Sequence, residues 1–290
     1  NLESIEFPKS VTSIGDHAFW ECAALKTIIF HEGLKTIEKN AFEFCESVDS
    51  LKLPASCKDI NENAFSQCTA LKSVELQKGI SKIKKNLFSY CPSLETVILP
   101  KSITAIGDHA FTHCRSLKNI KLHEGLVSIG PSAFSGCEKL ESIKIPSTVQ
   151  NIDDSCFMDC TSLQSVELND KLTLIDKYVF CHCEALTSFT IPKNITSIGE
   201  RSFSKCTNLK TITLDSNLAT IQSKAFYLCK NLETVLIPKS VSSLSSSAFA
   251  KCDALKTIQF EENTNLKLKS LKLTDCLARI ETKKAKENNK

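Results

Sequence analysis

Apolar and polar positions follow one template along most of this chain: L-x-x-I/V-x-L/I/F, a turn, L/I/V-x-x-I, then x-x-x-A-F-x-x-C. In the copy that begins at Leu25, Leu25, Ile28 and Phe30 share one face and His31-Glu32-Gly33 turn. Leu34 and Ile37 follow, and Ala41, Phe42 and Cys45 close the unit. Period-two spacing predicts a strand in the first part and a second short extended piece after the turn. Phe and Cys three apart predict one side of a short helical turn. Asp16, Asp108, Asp154, Ser223 and Ser246 stand where they would cap it, and Pro131 suits its first position.

The template recurs without insertion or loss. Phe19, Phe42, Phe65, Phe88, Phe111, Phe134, Phe157, Phe180, Phe203, Phe226 and Phe249 each lie 23 residues from the next. A period of this size overrides the domain count that 290 residues would suggest and predicts one elongated repeat domain over residues 1–265. Eight positions per repeat are apolar, and a single repeat has nowhere to bury them. Stacked copies turn each position into a ladder, with the phenylalanines as a structural core spine. Twelve strands at about 4.8 Å spacing would span roughly 55–60 Å.

A second regularity lies in the turn after the long strand, whose first residues run Pro8, His31, Pro54, Gln77, Pro100, His123, Pro146, Asn169, Pro192, Asp215 and Pro238. Proline alternates with a polar residue, and in most of the polar turns the third residue is Gly or Asn, with Lys171 as the exception. Two turn shapes are expected, one of them needing positive φ. The alternation suggests growth by doubling of 46-residue units. After Phe260 the phase breaks, and residues 266–290 are expected to form a cap and a basic tail. Leu266 to Leu273 alternate Leu with Lys, which discourages edge pairing. Thr274 or Asp275 would cap a final helix whose Leu277 and Ile280 cover the last layer. No such device stands at the opening "LESIEF", which is already mid-pattern, so a truncated or cleaved start is expected.

With the pattern written out, "LESIEFPKSVTSIGDHAFWEC" and "LETVILPKSITAIGDHAFTHC" resemble the BspA-like, Treponema-type class of leucine-rich repeats. The resemblance covers residues 2 to about 260. It implies an α/β leucine-rich-repeat solenoid, a right-handed superhelix with a parallel sheet on its concave face and short helical turns or loops elsewhere. Members of the class occur on surfaces of bacteria and parasitic protozoa and are implicated in adhesion. The resemblance therefore implies a non-catalytic, protein-binding surface or secreted protein, with a host matrix or cell-surface protein as partner. An intracellular scaffold in a larger assembly, cytoplasmic in location, is the alternative.

Charge and chemistry narrow this further. The 36 basic and 33 acidic residues are interspersed, so no broad field selects nucleic acid, and no apolar run is long enough to insert in a membrane. Of 15 cysteines, the eleven from Cys22 to Cys252 share the Phe period and read as small core residues. Cys57, Cys156, Cys181 and Cys276 are scattered and suggest no disulfide framework. Around "FCHC", Asp159, Cys181 and His182 would converge if Cys181 and His182 point outward, but a fourth zinc ligand is missing, so no metal is expected. His31 and His123 stand four repeats apart, about 19 Å at strand spacing, too far for one site. No phosphate loop, G-x-S-x-G or H-E-x-x-H occurs, so neither cofactor nor catalysis is expected. The single sequon, Asn194-Ile195-Thr196, is too common a pattern to weigh alone.

The outward columns of the long strands remain as the candidate working surface. One is almost all Ser and Thr, including Thr27, as cross-strand pairing favours. The next varies, with Ile29, Lys52, Glu75, Ile98, Lys121, Lys144, Glu167 and Leu236 as candidate contacts. Trp20, Phe44, Tyr90 and Tyr227 beside the Phe turns are the candidate loop aromatics.

Overall fold

The computed structural model describes residues 2–262, 264, 266 and 273–283. The chain winds through twelve coils, each with a long strand and, in all but the last, a short one. Long strands run from Ser4–Glu6 and Thr27–Ile29 to Thr257–Glu261, short ones from Ser13–Ile14 and Thr36–Ile37 to Ser243–Leu244. Neighbouring coils pair in parallel, shifted by one repeat, so that Ser4 faces Thr27, Ser13 faces Thr36 and Ser73 faces Thr96. The middle residue of most long strands, such as Val74 or Ile143, is buried, and Ile5, Ile28 and Val166 are half-buried, while Ser or Thr before it mostly faces solvent. The regular ladder of long strands is interrupted beside Ser50–Lys52, Ser142–Lys144 and Ser188–Thr190. Across the second interruption Glu141 N–H still donates to Lys118 O at 3.1 Å.

The expected helical turns do not form, and the fold is an all-strand parallel solenoid rather than an α/β one: no helix occurs among the described residues. Backbone geometry gives the reason. From Phe19 to Phe226, residues two before and two after each Phe sit in the left-handed region: His17 and Glu21 around Phe19, both at φ 57°, and Asn40 and Phe44 around Phe42, at 55° and 61°. At Phe249 only the later one, Lys251, does. A helix would send each N–H to the carbonyl four residues back. Here the N–H groups of His17, Phe19 and Glu21 cross to the next coil, reaching Lys39, Ala41 and Glu43 carbonyls at 3.1, 2.8 and 2.9 Å. Those of Ala18, Trp20 and Cys22 close tight turns on Gly15, His17 and Phe19. A left-handed L-residue costs about 1–2 kcal/mol, comparable to the ~1–3 kcal/mol of leaving a buried backbone donor unpaired. Two of the residues expected as helix caps bond laterally instead, Asp154 to Lys177 at 3.1 Å and Ser223 Oγ to Ser247 Oγ at 3.1 Å, while Asp16 pairs with its neighbour His17 at 2.8 Å.

The core is a set of columns. From Phe19 to Phe249 successive rings stack with centroids 5.1 to 6.0 Å apart and planes within 29°. From Phe42 onward all these rings are fully buried. Beside them, each ladder cysteine from Cys45 to Cys252 points its thiol at the carbonyl of the Phe one coil back. Sγ to O is 3.2 Å for Cys45 and Phe19, 3.2 Å for Cys160 and Phe134, and 3.0 Å for Cys252 and Phe226.

The turns after the long strands do alternate. Val11 N–H closes on Pro8 O and Leu34 N–H on His31 O, and Gly33, Gly79 and Gly125 have φ of 114°, 104° and 103°. Lys171 and Asn217 are not left-handed. Their N–H groups bond Asn169 Oδ1 and Asp215 Oδ1 at 2.8 and 3.3 Å, so an Asx turn replaces the glycine there. Each glycine N–H meets the hydroxyl of the following proline turn: Ser56, Ser102 and Thr148 Oγ at 3.0, 3.1 and 3.0 Å. Glu32 and Glu124 add to the clamp. Glu124 accepts the Ser147 hydroxyl at 2.8 Å and its N–H at 3.2 Å, and these bonds hold its carboxyl below the ordinary 4.5.

At the C-terminal end a strand, Arg279–Lys283, stands where a helix was expected, and it pairs with Thr257–Glu261. Leu277 is 99% exposed, so it covers nothing. The edge of Thr257–Glu261 carries backbone groups that this strand satisfies, and Ile280 comes into register with Ile258. Most of the Leu/Lys alternation expected to guard this edge, residues 267–272, lies outside the described residues.

Two outcomes are expected. Phe134→Ala removes the ring partner of both Phe111 and Phe157 and should lower unfolding free energy by about 3–5 kcal/mol in a urea titration. Glu124→Gln should lower the melting temperature at pH 7. Because the folded carboxyl titrates below 4.5, the wild-type advantage is complete above that pH and fades as pH falls through the folded value. The two melting curves should converge in acid.

Candidate functional site

Stacking by one repeat lines up the varied strand positions as an outward strip, in register wherever the long strands pair. Glu6 lies beside Ile29, Lys52 beside Glu75, Glu75 beside Ile98, and Lys144 beside Glu167. Thr27, Lys52, Glu75, Lys121, Lys144 and Glu167 are exposed, and Leu236 is half-buried. Ile29 and Ile98 are 44% and 51% exposed. Lys144 Nζ bonds Glu167 Oε2 at 2.8 Å, which raises the Lys144 pKa. The strip thus presents isolated apolar side chains between charges.

The loop aromatics come together in pairs rather than in one cluster. Trp20 meets Phe44 edge to face at 6.2 Å, and His17 lies 6.1 Å from Trp20. Tyr90 stacks on His113 at 4.9 Å, and Lys224 Nζ lies over Tyr227 at 5.8 Å. His17 and His113 are the partners that sequence reasoning left out. The signal for His113 was present, since it follows Tyr90 by 23 residues in the same column.

Around "FCHC" the structure brings together two of the three expected donors. His182 Nδ1 is 2.6 Å from Asp159 Oδ1, and Nε2 is 2.9 Å from Glu184 Oε1, a partner not foreseen. Both ring nitrogens are thus occupied by carboxylates. Cys181 does not point outward: it is buried in the same column as Ser66, Ser89, Thr112 and Ser204, which lies beneath the left-handed residue. Burial raises its thiol pKa, so it neither converges with His182 nor serves as a ready thiolate ligand. His31 and His123 keep separate partners, Glu6 Oε1 and Leu99 O, each at 3.0 Å.

The thiols are free and, for the most part, buried. Burial pushes Cys45 and Cys91 up to about 12 and Cys57 to about 11, far from the range of a reactive nucleophile.

An all-parallel coil with a fixed period, a ring spine and no convergent catalytic group among the described residues defines a repeat-solenoid scaffold. The chain belongs to the BspA-type leucine-rich repeat family: the family described as "BspA type Leucine rich repeat region (6 copies)" matches residues 1–115, 81–189 and 173–288. No enzyme family is indicated. No curated protein matches the sequence.

Solved structures agree on the fold. A leucine-rich repeat protein from Bacteroides ovatus is 24% identical over 97% of this chain and 84% of its own, with a TM-score of 0.75. The pneumococcal vaccine antigen PcpA is 22% identical over 98% of this chain and 80% of its own, at a TM-score of 0.67. A leucine rich cell surface protein from Faecalibacterium prausnitzii is 27% identical, covering 94% and 82%, at a TM-score of 0.50.

Alkylation tests the thiol assignment. At pH 8 the native chain should take up label only at Cys22 and Cys276, the two partly exposed cysteines, whereas the urea-unfolded chain should take up all 15. Mass spectrometry distinguishes the two.

Proposed function

We propose that this chain is a non-catalytic binding scaffold that acts at a cell surface, using its outward strand column and the flanking loop aromatics to hold a protein partner in an adhesion role. The observation that carries the reading is the varied, exposed column, with Ile29 and Ile98 bare, on a scaffold whose core columns are nearly uniform. Buried positions hold the fold and the hydroxyl column suits strand pairing, so variation in the exposed strand column answers to something outside the chain. The cell-surface likeness from Faecalibacterium prausnitzii supports the location. No helix among the described residues is long and apolar enough to cross a membrane. The near balance of charge, +3 overall, favours a protein over nucleic acid as partner. In this reading residues 1–265 are one solenoid domain and residues 266–290 its cap.

The fifteen free cysteines support the second reading, an intracellular assembly scaffold. Labelling intact source cells with a membrane-impermeant biotin reagent separates the two. Recovery of this chain before lysis supports the surface reading, and recovery only after lysis rejects it. Against immobilised matrix and cell-surface proteins, Ile98→Asp combined with Lys144→Glu should weaken binding about tenfold or more. Unchanged affinity would remove the strand column from the interface.

A further inference from the structure

We propose that the turn edge around Tyr90 is a binding site for a single pyranose sugar unit. Gln67, Thr69, Tyr90, Pro92, His113 and Arg115 line an open cleft of about 230 Å³ there. These residues come from two outward columns of three successive coils, so the period itself builds the cleft. Tyr90 is 51% exposed and rests at a 36° tilt on His113. His113 is in turn seated on Gly136. A Cβ at residue 136 would lie 2.4 Å from His113 Nδ1, and that nitrogen, enclosed, bonds to nothing among the described residues. Packing alone therefore holds the ring. Gly136 is the single glycine in a column that otherwise carries Glu21, Phe44, Gln67, Tyr90, Asp159 and other side chains.

The cleft combines three kinds of surface. Tyr90, His113 and Pro92 offer a largely apolar wall of ring faces. Gln67 can both donate and accept. Thr69, whose hydroxyl already donates to Glu46 O at 3.3 Å, is left as an acceptor. Arg115 engages Glu138 through Nε at 3.3 Å and keeps its outer N–H groups in a side chain 58% exposed. A pyranose matches this set: its C–H face covers an aromatic ring, and each rim hydroxyl both donates and accepts. Size sets the limit. Small-molecule pockets run to about 300–1,000 Å³, so this cleft takes one ring rather than a chain. A docked protein would need an interface of about 1,200–2,000 Å², well beyond these six side chains. The site shares Tyr90 with the loop aromatics but none of the strand column, so its failure would leave the strand-column part of the protein-binding reading intact.

The test is saturation-transfer difference NMR on the full chain with glucose, galactose, mannose and N-acetylglucosamine as separate probes. At least one should show transfer concentrated on its ring C–H protons. Tyr90→Ala should abolish the transfer and Tyr90→Phe should keep it. Tyr227→Ala, on a remote coil, should leave it unchanged. Gln67→Ala, which spares the aromatic pair, should weaken the affinity about tenfold and guards against a folding defect in Tyr90→Ala. No transfer from any of these sugars, or transfer that survives both Tyr90→Ala and Gln67→Ala, would overturn the proposal.

Discussion

Each coil of this protein depends on its neighbour for backbone hydrogen bonding. The N–H of Phe42 reaches Ala64 O at 2.9 Å and that of Phe226 reaches Ala248 O at 2.8 Å, and the same bond links most intervening coils. A single 23-residue repeat would leave these donors, the strand edges and eight apolar positions unsatisfied, at a cost no internal contact offsets. Stability is therefore close to a sum over coil-to-coil interfaces. The ring spine and the thiol ladder follow from that constraint, since identical groups repeated at one height can only stack.

The cysteines illustrate how narrow the choice becomes. The carbonyl of Phe19 accepts the Cys22 N–H at 3.2 Å within its own coil and the Cys45 thiol at 3.2 Å from the next. Alanine would leave that second lone pair unserved and open a void beside the ring. Serine would carry a hydroxyl with a larger desolvation cost and a shorter reach. A thiol is compact, weakly polar and long enough, and burial keeps it protonated. The ladder therefore needs no disulfide or metal to explain it.

The same logic separates what was legible in the sequence from what was not. Period, core and strand positions follow from apolar residues recurring at fixed offsets, and burial enforces them. The path of the third run does not. Phe and Cys three residues apart face one side in a helix, but two consecutive tight turns place them equally well. The residues that break the helix, among them Tyr178, Arg201 and Leu228, are not types that announce positive φ. Cys181 pointed the wrong way in the sequence reading for that reason, although the small residues Ser66, Ser89 and Ser204 in its column hint at an inward position. The terminal strand was missed because its spacing slips: Ile280 follows its partner Ile258 by 22 residues rather than 23.

Glycine would be the residue of least strain at every left-handed position, yet in the column two residues after the Phe it occurs once, at Gly136. The strain of an L-residue there, about 1–2 kcal/mol, is partly offset by the ~0.5–1 kcal/mol of extra chain entropy a glycine loses on folding. The scaffold is thus nearly indifferent to what stands in this column. Its backbone is held by bonds to both neighbouring coils, and most of its side chains project away from the core. Such a position can accumulate Phe44, Tyr90, His113 or His182 at little cost to the fold. Where backbone demand is fixed and side-chain demand is slack, residue identity is free to answer to a ligand. The exposed column of the long strands has the same freedom, and the core columns do not.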